Sequence, residues 1–314
     1  MGSLSNTLGK TNPHQYANKT HIKLNKQEAL TGWLFILPTL IGFCIFTFGS
    51  IIYSFIISFT NWDLLSPKKF IGLKNYINVF KDNFFWQCMY NTVYFVIALV
   101  PTVLVLSMAL AIAVDQRTKR LSNYFKVSFF MPSVTSTVAI SMVWLWIFNS
   151  DNGIANTLLG YLGVANPPRW LESVVWAKPS LVIMRVWQMC GYYMLLFIAG
   201  LQTIPDSLYE AAIVDGASKW QRTRHITIPM LSNTTLFVVI MLVIESFNVF
   251  EAVYVMTGGG PGGTTNTMLY YIYTSGFKFY KMGYASALAW ILFAILFALT
   301  FIQFKARQKR ENYV

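Results

Sequence analysis

Charge is scarce in this chain. Charged residues make up 11% of its 314 positions, where a soluble domain carries about 25%, and that shortage excludes an ordinary water-facing fold. Cysteine is scarcer still. Cys44, Cys88 and Cys190 are odd in number, widely spaced and mostly inside apolar runs, so they offer neither a disulfide framework nor metal-ligand spacing. His14, His21 and His225 are equally scattered, and no histidine cluster is available for metal binding or proton transfer. The 12 acidic residues are outnumbered by 24 Lys and Arg, but the basic residues are divided among separate loops with no recognition module interleaved, which argues against nucleic acid as a partner. Residues 1–29 contain no apolar core of signal-peptide type, and Asn6 stands where a myristoylation pattern needs Ser or Thr.

What is abundant is apolar: 55% of residues are hydrophobic and the mean hydropathy is +0.49. About 20 apolar residues cross a hydrocarbon core roughly 30 Å thick, and six stretches reach that length, near 33–59, 89–114, 127–149, 180–203, 231–256 and 283–304. Backbone groups in lipid must be satisfied within the protein, which leaves helices or a closed barrel, and continuous apolar runs do not alternate as barrel strands do. The expected fold is therefore an all-α membrane protein, a bundle of six transmembrane helices over residues 30–306. It is flanked by a polar tail, 1–29, and a short C-terminal tail, 307–314.

Lys and Arg collect on alternate sides of the spans. Fifteen lie in the N-terminal tail, the second loop, the fourth loop and the C-terminal tail, and eight lie in the other loops. By the positive-inside bias both termini are expected to be cytoplasmic, and the fourth loop with them. The net charge of +12 is largely explained by that bias.

The fourth loop, residues 204–229, is polar yet patterned. Ser207-Leu208-Tyr209-Glu210 and Ser218-Lys219-Trp220-Gln221 have capping-box spacing, each predicting a helix start. Gly216 predicts the stop between them, because glycine adopts positive φ without a Cβ penalty, and Pro229 marks the start of the fifth span. The expected product is a helix-turn-helix knob, with Leu208, Ala211, Ala212 and Trp220 on its apolar face and Glu210, Asp215, Lys219 and Arg222 at the rim.

Glu210-Ala211-Ala212, three residues, Gly216, nine residues, Ile226, one residue, Ile228 and Pro229 resemble the signature of permease subunits of binding-protein-dependent ATP-binding-cassette importers. Ile228 replaces the Leu of that pattern, a conservative departure. Ile204-Pro205-Asp206-Ser207-Leu208-Tyr209, Met131-Pro132-Ser133 and Met256-Thr257-Gly258-Gly259-Gly260-Pro261 resemble the carbohydrate-uptake branch, specifically its maltose-permease-like first subunit. The likeness covers roughly residues 30–310. The maltose permease's extra N-terminal spans and large external domain have no counterpart here, so the chain resembles smaller members carrying oligosaccharides, disaccharides or glycerol phosphate.

The resemblance implies a type I importer bundle in a bacterial plasma membrane, without catalytic residues or metal of its own. Glu210, Ala211, Ala212, Asp215, Gly216, Ile226 and Pro229 would form the element seated on a cytoplasmic ATPase. The implied partners are a second, homologous permease as a heterodimer, two ATP-binding subunits holding ATP and Mg, an external solute-binding protein, membrane lipid, and a sugar or oligosaccharide. The chain binds no cofactor in this reading. Gly258 to Gly263 has two glycines at phosphate-loop separation, but Thr264 and Thr265 stand where Lys and Ser or Thr are required. A tight external turn is the better reading.

Ionisable groups inside spans cost about 2.5–3.5 kcal/mol on insertion scales and mark partners or water-filled paths. Arg185 lies in the fourth span, and Glu245 and Glu251 in the fifth. The antiparallel course of the two spans brings Arg185 and Glu251 to similar depth, so an ion pair between them is one expectation. Sugars need planar polar groups and aromatic faces in a largely apolar cavity. Trp187, Gln188 and Tyr192 of the fourth span, with Glu245, Ser246, Asn248 and Glu251 of the fifth, are the candidate lining, with Trp144 and Trp146 as alternatives that interfacial anchoring also explains. The rival reading is a secondary sugar transporter driven by an ion gradient, which favours inverted repeats. The two halves show no internal repeat.

Overall fold

The computed structural model describes residues 26–115 and 119–311. Residues 1–25 of the polar tail, with His14 and His21, therefore lie outside the described residues, as do 116–118 and 312–314.

The described residues divide into two compact units, one ending at Tyr53 and the other beginning at Ser54. α1 (Lys26–Gly42) runs through a π-helical turn, Phe43–Gly49, into α2 (Ser50–Ser58), within which the boundary falls. Leu30–Ser58 is 29 residues long and apolar enough to cross a membrane. The second unit contains two short strands, β1 (Thr60–Asn61) and β2 (Lys69–Phe70), paired antiparallel with Thr60 opposite Phe70. They are followed by α3 (Lys74–Lys81) and α4 (Asn83–Asp115).

The third span is not one helix. It divides into α5 (Lys119–Val134) and α6 (Thr137–Ile147), bent by 97°, so among the described residues five helices are long and apolar enough to span and the bent pair makes six. The cause is local. Pro132 has no N–H to give and its ring crowds the preceding turn, while Ser133 Oγ donates to Phe130 O at 2.7 Å and Thr135 Oγ1 to Met131 O at 3.1 Å, drawing side chains into the helix ladder where it ends. Periodicity over 127–149 carries no sign of this.

Next come α7 (Ile154–Tyr161) and α8 (Ala177–Leu201). α8 is the axis of the bundle, packed against α4, α5 and α12 (Ser232–Phe247). Its core partners include Val103 and Ala111 of α4, Met194 and Phe197 of α8 itself, and Val238 and Leu242 of α12. One glycine sets the closest approach: a Cβ on Gly191 would stand 1.7 Å from the carbonyl oxygen of Phe129 on α5. Between α8 and α12 lie α9 (Asp206–Val214), α10 (Lys219–Arg222) and α11 (Ile228–Met230). The fifth span is interrupted at 248–250 before α13 (Glu251–Met256), and α14 (Met268–Tyr273) and α15 (Met282–Glu311) complete the chain.

The glycine-rich turn after α13 has positive φ at Gly258, Gly259, Gly262 and Gly263. It is pinned to α4, where Asn91 Nδ2 donates to the carbonyls of Gly263 at 3.0 Å and Asn266 at 2.9 Å. Nearby, Asp82 accepts the hydroxyls of Tyr271 and Tyr284 and the N–H of Phe84. Burial pushes the Asp82 carboxyl up, but these three hydrogen bonds outweigh it and leave the group below the usual carboxylate value. Because the folded value is depressed, the contribution of Asp82 to stability is present above its unfolded value and is lost as pH falls through the folded one. Hydrogen-exchange protection over 258–273, relative to the unfolded chain at the same pH, is therefore expected to fall below about pH 4, and Asp82→Asn should produce part of that loss at neutral pH.

Candidate functional site

Arg185, Gln188 and Tyr192 stand at helical spacing on one face of α8. Across from them Met241 and Glu245 share a face of α12, and the break between α5 and α6 supplies Thr135 and Thr137. Together they line a cavity of about 480 Å³. Irregular backbone at membrane depth is tolerated where it lines a cavity, and the α5–α6 break does so.

A polar chain crosses this cavity. Gln188 Nε2 donates to Thr137 Oγ1 at 3.1 Å, Arg185 Nη1 to Gln188 Oε1 at 2.7 Å, and Arg185 Nη2 to Glu245 Oε1 at 3.2 Å. Tyr193 completes it by donating to Glu245 Oε2 at 2.7 Å. Arg185 is therefore paired with Glu245 and not with Glu251. The interruption at 248–250 explains the difference: Glu245 ends a helix that packs on α8, whereas Glu251 opens a new one and is exposed. Its carboxylate there suits the positive end of the α13 dipole.

The other candidates scatter. Ser246 is fully buried with its hydroxyl unpartnered, Asn248 is exposed at the end of α12, and Trp187 leans on Trp144 at 5.7 Å between ring centres. None of these lines the cavity. Trp146 is 60% exposed. Sequence reasoning missed Tyr193, although it stands eight residues from Arg185 and so falls on nearly the same helical face, and it missed Thr135 and Thr137 because the helix break was not foreseen.

The second assembly is the knob at 204–229. α9 begins at Asp206 with Pro205 at its N-cap and no side-chain cap, so the expected Ser207–Glu210 capping box is replaced by a start two residues earlier. The second box forms: Ser218 Oγ accepts the Gln221 N–H at 3.3 Å, and Gln221 Oε1 accepts the Ser218 N–H at 2.7 Å. α10 then runs on through a π-helical turn, Thr223–Thr227, into α11, so Pro229 lies inside the connector and α12 begins at Ser232. Between the helices Gly216 takes φ +75°. Ala217 N–H reaches Ala212 O at 2.8 Å and Gly216 N–H reaches Ile213 O at 3.0 Å, the full Schellman pattern.

Glu210, Ala211, Asp215 and Gly216 are exposed, and Ala212 and Ile226 half-buried. Leu208 and Trp220 are exposed as well, but the knob's most exposed apolar side chain is Val214, at 86%, with Ile213 beside it. Neither was singled out by sequence, though both lie in the last turn before the Asp215-Gly216 stop. Under the knob a larger cavity of about 690 Å³ is lined by Asp115, Asp206, Lys219 and Arg222. Its charged lining comes from the end of α4 and from α9 and α10, beside the uncharged end of α8. Among the described residues, no three of His, Cys, Asp and Glu stand close enough to hold a metal ion.

The sequence model of the binding-protein-dependent transport system inner membrane component matches residues 81–310. The chain belongs to that family. It is 37% identical to the probable ABC transporter permease protein YurN of Bacillus subtilis, over 89% of this chain and 96% of the relative. It is 33% identical to the lactose transport system permease protein LacF of Rhizobium radiobacter, over 94% of this chain and 100% of the relative. The fold matches the crystal structure of a bacterial ABC transporter involved in the import of the acidic polysaccharide alginate, with a TM-score of 0.81 at 21% identity, covering 90% of this chain and 96% of that one.

In this permease Gly216 has open space around its missing Cβ. Any cost of substitution there is conformational, about 1–2 kcal/mol for a side chain forced to positive φ. Gly216→Val is expected to fray the last turn of α9 while leaving the bundle intact, seen as faster hydrogen exchange confined to 211–218. Uniform loosening of the chain would contradict this.

Proposed function

We propose that this inner-membrane permease forms half of the path by which an ATP-driven importer moves a sugar or oligosaccharide across the membrane. The chain is non-catalytic, holds no cofactor, and has both termini in the cytoplasm. ATP and Mg belong to two partner ATPase subunits, and a second, homologous permease supplies the other half of the path. The observation that carries the reading is the knob. Its Glu210 to Pro229 pattern occupies a capped, exposed helix pair whose apolar Ile213, Val214 and Trp220 are uncovered in this chain, which suits a rigid contact to another protein. Closure of the ATPases would move that contact as a body, and α8 and α12, joined to its two ends, would carry the movement to the cavity.

Sugar as the cargo is supported by the relatives. They include the lactose permease above and the trehalose/maltose transport system permease protein MalF of Thermococcus litoralis, 32% identical over 94% of this chain. Delivery by an external binding protein is supported by the solved complex of the alginate transporter with its pentasaccharide-bound periplasmic protein.

Reconstituted vesicles containing both permeases and the ATPases are expected to take up sugar only with ATP and the binding protein. Uptake by this chain alone under an ion gradient would overturn the reading. Within such vesicles Gln188→Ala should lower uptake about tenfold, since it removes the link between Arg185 and Thr137 at a cost of one or two hydrogen bonds near a charge. Asn248→Ala should leave uptake unchanged because Asn248 stands outside the cavity.

A further inference from the structure

The mid-bundle cavity holds two formal charges, and they cancel. Among its lining residues Arg185 and Glu245 alone are charged, and each is committed to the other. Both oxygens of Glu245 are occupied, one by Arg185 Nη2 and one by Tyr193 Oη. Arg185 is also held by Gln188, and its side chain is 9% exposed where that of Glu245 is 43% exposed. The guanidinium is thus set back in the wall and the carboxylate is the charge that meets the cavity. What remains to face a solute is neutral: the Tyr192 hydroxyl, Thr135 and Thr137, and the apolar surfaces of Met189 and Met241.

A solute bearing a carboxylate finds no free cation there. To pair with Arg185 it must displace Glu245, which leaves the Glu245 carboxylate uncompensated and places a second one beside it. Like charges forced together are the means by which a site rejects a competitor without losing its proper ligand. A neutral sugar meets no such obstacle, because hydroxyls add to hydroxyls and ring faces to apolar wall.

We infer that this permease admits neutral sugars and rejects acidic ones, with Glu245 as the excluding group and Arg185 as the residue that holds it in place. The inference rests on the sugar-path reading and adds the class of cargo to it.

The test measures binding of trisaccharides to the purified permease–ATPase complex in detergent, without binding protein, by saturation-transfer NMR and calorimetry. The neutral probes are maltotriose, cellotriose and xylotriose; the acidic ones are trigalacturonate and triguluronate. The wild-type complex should bind its best neutral probe at least tenfold more tightly than either acidic one. Glu245→Gln keeps an acceptor oxygen for Arg185 and turns an amide N–H to the Tyr193 hydroxyl, which can accept it, but leaves the cavity with one net positive charge, and should erase or invert that preference. The double variant Arg185→Gln with Glu245→Gln is neutral again and should restore it, which separates charge from shape. An acidic probe held by the wild type as tightly as the best neutral one would overturn the charge selection and leave the sugar path standing. So would a Glu245→Gln complex with unchanged ranking. If no probe of either kind binds the wild type, the sugar path itself falls. Where a variant does not assemble, the wild-type ranking decides alone.

Discussion

Glu245→Leu is expected to destabilise the folded permease by about 3–5 kcal/mol, the cost of stranding one member of a buried ion pair. The guanidinium it leaves behind is 9% exposed and keeps a single side-chain partner, Gln188; its Nε–H is already without one. The reverse change should cost less. Arg185→Met strands a carboxylate that is 43% exposed to the cavity, where water can reach it, and that still accepts from Tyr193. About 1–2 kcal/mol is expected there, on the scale of a lost charged hydrogen bond. The double change should cost less than Glu245→Leu alone, since replacing both members by apolar groups is often close to neutral. Apparent melting of the complex in detergent would report all three. A double variant that costs the sum of the two singles would show that the pair is not coupled, and equal effects of the two singles would show that burial does not decide which charge is costlier to strand.

Gly191→Ala is the second large effect. A glycine in a helix interior usually gains up to about 1 kcal/mol on becoming alanine. Here the new methyl would stand 1.7 Å from Phe129 O, 2.4 Å from its carbonyl carbon and 2.9 Å from Phe130 N, all backbone atoms. No rotamer can move out of the way, so α5 must shift off α8 and carry the α5–α6 break with it. Overpacking a core costs about 1–3 kcal/mol when side chains can adjust, and a backbone obstacle belongs at or above the top of that range. The permease is expected to lose sugar uptake and to be recovered in reduced amount. Gly160→Ala is the control: nothing stands within 4 Å of its missing Cβ, and a gain of about 0.5 kcal/mol is expected from the stiffened unfolded chain.

The helical bundle was legible because its signal is long. Runs of twenty apolar residues cannot be read as anything but membrane helices, and the capping chemistry of Ser218, Gln221 and Gly216 is local, so it survives folding unchanged. The start of the first knob helix was misjudged by two residues for the same reason in reverse: Pro205 and Asp206 compete for it with Ser207, and so local a contest is decided by the surrounding chain. The breaks were harder. Pro132 could have announced the bend in α5–α6, but prolines sit within α1 and α4 as well without dividing them, so the residue alone does not decide. The interruption at 248–250 has no proline at all, and without it the partner of Arg185 is read from depth and comes out as Glu251 instead of Glu245. Tyr193, Thr135 and Thr137 joined the site only once tertiary packing had brought three helices round one space.

The pairing of Arg185 with a residue 60 positions further along bears on how the chain is made. At about 5–20 residues per second, roughly 3–12 s of synthesis separate the two. Throughout that interval α8 exists with its guanidinium and Gln188 but without α12, and an unpaired arginine at such a depth costs about 2.5–3.5 kcal/mol on insertion scales. The helix at the centre of the mature bundle is thus the one least able to stay in lipid by itself, and its residence there depends on a carboxylate the ribosome has yet to supply.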